Sequence, residues 1–167
     1  MAAEPDQQRA QHFELELDLQ IALQRSDGVP AQADLEQWVS TALEGKSKQA
    51  QLTIRLVERD ESAALNHQYR DKQGPTNVLS FPFEAPADVA LPLLGDIIIC
   101  APLVADEALA QGKPLRAHWA HLVVHGVLHL RGYDHIDDVE AAEMEDLERK
   151  IMAYLGFDDP YAGDEVA

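Results

Sequence analysis

The sequence lacks the cysteines from which a disulfide framework or a thiolate metal site is built. A single cysteine, Cys100, occurs among the 167 residues. One thiol cannot form an internal disulfide, and there is no second cysteine to share a metal ion. We therefore expect a chain that folds on its hydrophobic core in a reducing compartment, with Cys100 as a small core residue rather than a ligand.

Long apolar runs are also missing. No stretch approaches the roughly 20 apolar residues that cross a bilayer, and residues 1–12 are polar, without the basic and apolar segments of a signal peptide. This pattern predicts a cytosolic protein with no membrane partner.

The length is that of one domain. We expect a flexible N-terminus over 1–12, a single domain over 13–157 and an acidic flexible tail over 158–167.

Positive charge is scarce. The chain has 13 lysine and arginine residues against 30 aspartate and glutamate residues, for a formal net charge of −17. Nucleic-acid binding draws most of its affinity from neutralising phosphates, so the bulk charge argues against a general nucleic-acid binder. Much of the acidic excess follows His135, however. The middle of the chain carries cations that would form a local basic surface if the fold gathers them: Arg55, Arg59, Arg70, Lys72, Lys113, Arg116 and Arg131.

Hydrophobic periodicity predicts strands and helices in alternation. Period-2 alternation or short apolar runs indicate strands at 13–23, 52–56, 78–83 and 95–100. Helical spacing indicates helices at 35–43, 60–69, 102–111, 114–130 and 137–155. The consecutive isoleucines 97–99 are typical of a strand covered on both faces, whereas Pro82 favours an edge or terminal strand. These elements predict an α+β fold with a four-stranded mixed sheet covered by helices.

Five of the seven histidines fall between positions 118 and 135. His125 and His129 are four residues apart, so on a helix their imidazoles face the same position in space. Gly132 can end that helix in a left-handed turn, which would bring His135 to the same position. Three imidazoles in a tetrahedral site leave the fourth position for water, as in a catalytic zinc site. The spacing predicts one zinc ion in a zincin-like three-histidine site, although nickel or copper would also suit these ligands.

The spacing matches the HExxHxxGxxH framework of the metzincin proteases at every position except one. Where those enzymes carry the glutamate that shuttles a proton to the leaving amide, this chain has Gly126. Peptidase activity is therefore disfavoured. We further expect the glycine to leave room beside the metal for a larger group such as a phosphodiester.

The other histidines have plainer interpretations. His121 continues the face of His125 one turn earlier, and we expect it to pack in the core or to orient a ligand rather than to bind metal. His118, His67 and His12 have no partner at ligand spacing and are expected at the surface. The whole cluster would be structural if these imidazoles only packed or capped a helix, an alternative that the full pattern with its glycine disfavours.

Three stretches resemble the YbeY family of bacterial endoribonucleases: HLVVHGVLHLRGYDH over 121–135, LNHQYRDKQGPTNVLSFPFE over 65–84 and LGDIIIC over 94–100. The resemblance implies that 13–157 is a catalytic domain, a zinc-dependent endoribonuclease specific for single strands. It implies a role in maturation of the 16S ribosomal RNA 3′ end and in ribosome quality control. The implied partners are single-stranded ribosomal RNA and the ribosome or small-subunit proteins.

By position, the resemblance implies His125, His129 and His135 as metal ligands and Arg70 as a catalytic residue. Arg70 suits that role, because a phosphodiester transition state accumulates charge on non-bridging oxygens and a guanidinium can bind two of them at once. Asp134 is a candidate base in place of the missing glutamate, or a partner that orients an imidazole. It would equally serve to cap a turn.

Two other functions stay open on the sequence alone. A zinc hydrolase of a small-molecule or peptide substrate would suit the negative net charge. A ribosome-assembly factor would use its metal only to hold the last helix in place. Replacement of Arg70 distinguishes the assembly factor from the nuclease, because only the nuclease would lose its function while the metal is retained.

Overall fold

The computed structural model describes residues 14–44, 49–84, 86, 92–134 and 136–162. This part of the chain contains four strands and five helices. The strands are β1 (Glu14–Ala22), β2 (Gln49–Val57), β3 (Val78–Pro82) and β4 (Leu93–Cys100). The helices are α1 (Gln32–Leu43), α2 (Arg59–Arg70), α3 (Ala101–Gln111), α4 (Leu115–Leu130) and α5 (Asp138–Tyr154). Every strand and helix predicted from the sequence is present, with small shifts at the ends.

The four strands form one mixed sheet in the order β1-β2-β4-β3. β1, β2 and β4 run parallel, with Ile54 of β2 opposite Ile97 of β4. β3 runs antiparallel to β4, with Leu79 opposite Ile98, and forms one edge of the sheet. The predicted α+β class, the four-stranded mixed sheet and the edge position of the strand at 78–83 are confirmed.

β4 lies inside the sheet, as its run of isoleucines predicted. Ile97 and Ile99 are 0% exposed, and Ile54 of the neighbouring β2 is equally buried. The predicted coverage of both faces is wrong, because on the opposite face of β4 Ile98 is only half-buried and Asp96 is exposed. The apolar run indicated an interior strand correctly, although not which strands would be its neighbours.

α4 is the central helix of the fold. It packs against β3 and β4 and is contacted by α1, α3 and α5. Its buried side chains include Trp119, Val123 and Leu128. A helix that is hydrophobic on nearly every side belongs in a core. The histidines of α4 are consequently held among fixed neighbours rather than on a free surface.

Three helices begin earlier than the sequence predicted, α3 by the single residue Ala101. α1 begins at Gln32, after an N-cap residue, Ala31, whose side chain makes no capping hydrogen bond. α2 begins at Arg59, one residue before its predicted start, and Asp60 lies in its first turn. The helix dipole favours negative charge throughout the first turn, so an aspartate there indicates the start of a helix only to within one turn.

The two predicted termini are described only in part. The predicted flexible N-terminus over 1–12 lies outside the described residues, as do residues 163–167 of the predicted tail. Residues 158–162 pack against the protein, with Pro160 buried and Asp159 paired with Arg149 at 3.2 Å.

None of the helices in the described ranges combines the length and the apolar character that a membrane-spanning segment requires.

Candidate active site

His125 and His129 occupy successive turns on one side of α4. Their Nε2 atoms are 3.1 Å apart, and the ring planes are inclined by 80°. Two imidazole nitrogens bound tetrahedrally to one zinc ion, each about 2.0–2.1 Å from it, are separated by about 3.3 Å. The pair is therefore arranged as two ligands of one metal ion would be.

α4 ends in a tight turn at Gly132. This glycine has a φ of +100°, where a residue without a Cβ is favoured. Its amide donates to the carbonyl oxygen of His129 at 3.0 Å, and the amide of Tyr133 donates to that of Leu128 at 3.0 Å. These two bonds form a Schellman motif, which satisfies the last carbonyl groups of the helix and reverses the chain. The helix stop and the left-handed turn predicted at Gly132 are confirmed.

The predicted third ligand, His135, lies outside the described residues. Within the described ranges, no group of three or more histidine, cysteine, aspartate or glutamate side chains is placed to hold a metal ion. The zincin-like three-histidine site expected from the sequence is accordingly represented in the structure by two of its residues, His125 and His129.

The second ring nitrogen of His125 contacts a buried carboxylate. Nδ1 lies 3.2 Å from Oε1 of Glu148 on α5. Because an ionised carboxylate can only accept hydrogen bonds, the proton is assigned to Nδ1 and the lone pair to Nε2. Metal-binding histidines usually have such a partner on the second nitrogen. The contact keeps the lone pair of His125 on Nε2, the nitrogen that faces His129 and that a metal ion would need.

Glu148 accepts hydrogen bonds from two further donors. Nε2 of His121 lies 2.6 Å from Oε1, and the Tyr161 hydroxyl lies 3.0 Å from Oε1 and 2.9 Å from Oε2. Burial raises the pKa of the Glu148 carboxyl, but hydrogen bonds from His121 and His125 outweigh it and lower the pKa to about 2. Burial and the neighbouring Glu148 charge raise the pKa of Tyr161. Glu148 is therefore ionised, and Tyr161 is a neutral donor.

The two histidines line an open cleft of about 770 Å³. The edge strand β3 forms one wall, and the end of α2 and the segment after α4 contribute others. The lining includes Tyr69, Arg70, Ser80, Phe81, Asp134 and Ile136. The structure thus brings four of the five site residues predicted from the sequence to one cleft: Arg70, His125, His129 and Asp134.

Arg70 supplies the cationic side chain of this cleft. It is the last residue of α2 and is exposed, and no carboxylate in the described part of the chain forms an ion pair with it. Other arginines of the expected basic group pair with acids: Arg55 with Glu61, Arg59 with Asp106, Arg116 with Asp34 and Arg131 with Glu44. The charges of these four arginines are therefore balanced by neighbouring carboxylates. Arg70 is the one arginine or lysine among the described residues of the cleft wall.

A family model described as Endoribonuclease YbeY matches residues 20–156. The chain belongs to the YbeY family. The match includes all five helices and all five site residues predicted from the sequence, so the resemblance found there is confirmed. Among solved structures, the solution structure of TM1509 from Thermotoga maritima is 23% identical in sequence. The alignment covers 84% of this chain and 91% of that chain with a TM-score of 0.54, a likeness that shows the fold alone.

Gly126 is the position at which this YbeY-family chain departs from the metzincin framework. A Cβ built there would lie 3.0 and 3.2 Å from Cγ2 and Cδ1 of Ile97 and 3.3 Å from Oγ of Ser80. The glycine thus lets α4 approach β3 and β4 more closely than any larger residue would. The expectation that it opens room beside the metal for a phosphodiester is wrong, because the sheet fills the adjacent space.

The remaining histidine and cysteine predictions differ in outcome. His118 was expected at the surface, which is wrong: it is 5% exposed, and its Nε2 lies 2.9 Å from Oε1 of Glu107. Burial lowers the pKa of His118, whereas Glu107 acts to raise it. His67 is exposed as expected, and His12 lies outside the described residues. Cys100 is 1% exposed, and burial raises the pKa of its thiol, as expected of an unreactive core residue.

Glu148 and Tyr161 are site residues that sequence reasoning missed. In the sequence, Glu148 belongs to an acidic stretch and is most simply a solvated residue. Its spacing from Met144, Ile151 and Met152 nevertheless places it on the buried face of α5. A carboxylate on the apolar face of a helix is the signal that could have identified it. Tyr161 carries no such signal, because a turn after α5 brings it to the carboxylate.

Proposed function

We propose that this protein is a zinc-dependent endoribonuclease that cuts single-stranded RNA. We further propose that it acts in maturation of the 16S ribosomal RNA 3′ end and in ribosome quality control. The observation that carries the proposal is the convergence of two imidazole nitrogens, 3.1 Å apart, in a cleft that Arg70 also lines. Membership of the YbeY endoribonuclease family supports the reaction class.

The proposed metal site holds one zinc ion and consists of His125, His129 and, beyond the Gly132 turn, His135. The first two residues present nitrogens at a separation that suits one ion. The contact of His125 with Glu148 keeps a lone pair on the nitrogen that would bind. When bound, zinc supplies Lewis-acid polarisation of the phosphoryl group and activates water near neutral pH.

Arg70 and Asp134 are the proposed catalytic residues. The planar guanidinium of Arg70 binds two non-bridging oxygens of the phosphodiester and stabilises the negative charge that develops on them. The Asp134 carboxylate accepts the proton of the attacking water. Because Ile97 and Ser80 occupy the space beside Gly126, the base has to come from another wall of the cleft, and Asp134 is exposed there.

The aromatic side chains of the cleft support a single-stranded substrate. Tyr69 is 59% exposed and meets Phe81 edge to face at a centroid distance of 5.1 Å. Stacking of unpaired bases on aromatic rings is a sequence-tolerant contact of proteins that bind single strands. In a duplex the bases are stacked on one another and are not available to such a ring. With one cation in the described cleft, stacking supplies affinity that phosphate contacts do not.

The ribosomal role and its partners rest on the family. A net charge of −17 repels RNA at long range. We therefore propose that contacts with the ribosome or with small-subunit proteins bring the enzyme to its RNA in the cytoplasm. In this proposal the ribosome or its small-subunit proteins supply the binding affinity, and the cleft supplies the chemistry.

Cleavage of an unstructured fluorescent RNA by the purified full chain tests the proposal, with the same RNA in a duplex for comparison. We expect cleavage of the single strand that stops after chelation and returns with zinc. Arg70→Ala should lower kcat/KM by about 10²–10³-fold, the usual effect of removing one charge-stabilising donor, with zinc content unchanged. Arg116→Ala is the matched control, because that guanidinium pairs with Asp34 outside the cleft and its loss should leave activity unchanged.

Three outcomes would contradict the proposal. Cleavage that persists after complete removal of metal would exclude zinc dependence. Full activity of Arg70→Ala with its metal retained would favour a ribosome-assembly factor in which the metal is structural. Metal-dependent hydrolysis of a small ester or a peptide, without cleavage of RNA, would favour a hydrolase of small substrates.

A further inference from the structure

Glu148 is the one fully buried carboxylate among the residues that the structure describes, with 0% of its surface exposed. It projects from the inner face of α5, on which Met144, Ile151 and Met152 are also buried. An ionised carboxylate is tolerated in such surroundings only when hydrogen-bond donors satisfy its oxygens. Its three donors, His121, His125 and the Tyr161 hydroxyl, come from α4 and from the segment after α5.

The Tyr161 hydroxyl is itself held in place by its own segment. The Tyr161 amide donates to Oδ1 of Asp159 at 2.8 Å, and Asp159 pairs with Arg149 at 3.2 Å. Lys113 Nζ donates to the carbonyl oxygen of Pro160 at 2.8 Å. The segment 158–162 is therefore anchored to the connection between α3 and α4 and to α5. These contacts do not involve Glu148, and they hold the Tyr161 hydroxyl next to the Glu148 carboxylate.

We propose that Glu148 is a positioning residue for the metal ligand His125, and that His121 and Tyr161 hold its carboxylate in the required orientation. This inference rests on the proposed metal site. The Nδ1–H of His125 donates to Oε1, so the ring cannot turn or change its tautomer without losing that bond. The Nε2 lone pair is thereby kept on the side of His129, whose own Nε2 lies 3.1 Å away.

The alternative is a structural role in which Glu148 only fastens α5 to α4. The bond from His121, at 2.6 Å, would be sufficient for that purpose. The second bond goes instead to the nitrogen of His125 opposite the one that faces His129. A positioning role therefore predicts a change in metal affinity and in tautomer when Glu148 is replaced, and a structural role predicts a change in stability only.

Zinc affinity of the full chain, measured by competition with a chromogenic chelator, tests the inference. We expect Glu148→Gln to weaken zinc binding by about 10- to 100-fold, the usual effect of removing such a partner, and Tyr161→Phe to weaken it by a smaller factor. Glu143→Gln makes the same change at an exposed position of α5 and should bind zinc as the wild type does. Melting temperatures of the metal-free proteins report the structural contribution separately.

Nitrogen-15 NMR of the histidine side chains gives a readout that needs no metal. We expect the Nδ1-protonated tautomer of His125 in the wild type and a mixture of tautomers in Glu148→Gln. Unchanged zinc affinity in Glu148→Gln would overturn the inference even if its melting temperature falls, and so would an unchanged tautomer. If Glu148→Gln does not fold, the same two measurements on Tyr161→Phe decide the question.

The failure of this inference is distinguishable from the failure of the proposed function. A wild-type chain that binds no zinc would refute the metal site, and the positioning role would fall with it. Normal binding by the wild type and by every variant would refute only the role of Glu148.

Discussion

Gly126→Ala tests how closely α4 packs on the sheet, because two effects of opposite sign compete at this position. Alanine is favoured over glycine inside a helix by about 1 kcal/mol. Its methyl group, however, would lie 3.0 Å from Cγ2 and 3.2 Å from Cδ1 of Ile97, a residue of β4 that is 0% exposed. Insertion of an extra carbon into a packed core typically costs about 1–3 kcal/mol. We expect a net loss of about 1 kcal/mol in the free energy of unfolding.

Thermal unfolding of the metal-free protein measures this loss. For a chain of this length, about 1 kcal/mol corresponds to a decrease in Tm of about 2–4 °C. Ile97→Ala provides the matched background, because it removes both carbon atoms that the new methyl group would meet. In that background, Gly126→Ala should be neutral or stabilising by up to about 1 kcal/mol, and the difference between the two backgrounds measures the coupling.

Two results would refute this reasoning. An increase in stability on Gly126→Ala in the wild-type background would show that α4 has free space above β4 and that helix propensity decides. An equal loss in both backgrounds would show that the cost does not come from Ile97. Either result would also reopen the possibility that position 126 faces the cleft rather than the sheet.

Further predictions concern the cleft. Tyr69→Ala should raise KM for single-stranded RNA about tenfold, because about 1–3 kcal/mol of base stacking is lost. Tyr69→Phe keeps the ring and should leave KM unchanged. Equal KM values for Tyr69→Ala and the wild type would exclude stacking on this ring. Arg70→Lys should restore part of the activity lost in Arg70→Ala and stay about tenfold below the wild type, because an ammonium cannot bind two oxygens in a planar fork. A plot of log(kcat/KM) against log salt concentration should have a slope of about −1, since each single-strand phosphate contact contributes about −0.7 and Arg70 is the one arginine or lysine in the described cleft. A slope of about −5 would point to cations elsewhere.

The histidine pair and the turn after it could be predicted because both depend on local spacing. Four residues along a helix return to the same face whatever surrounds the helix, and His125 and His129 do so here. Gly132 ends α4 through bonds to residues of the preceding turn. Three consecutive isoleucines likewise predicted the interior position of β4.

The errors have a common cause in contacts between residues far apart in the chain. His118 has no partner at ligand spacing in the sequence, but it is buried in the protein beside Glu107 of α3. The expectation for Gly126 came from the chemistry of a related motif, whereas the residues packed against this glycine are Ile97 and Ser80 of the sheet. No spacing within α4 contains that information.

By itself the sequence determined the order and type of the elements, the edge strand, the family and the face on which two imidazoles converge. These features follow from periodicity and from bonds within a few residues. Only the tertiary structure decided the strand order, the contact of His125 with Glu148 and the meeting of Arg70 with the histidines in one cleft. The physical reason is that burial and ion pairing depend on which distant segments pack together. α4 acquires its neighbours only when α1, α3, α5 and the sheet pack against it, and the end of α2 then lines the cleft together with α4.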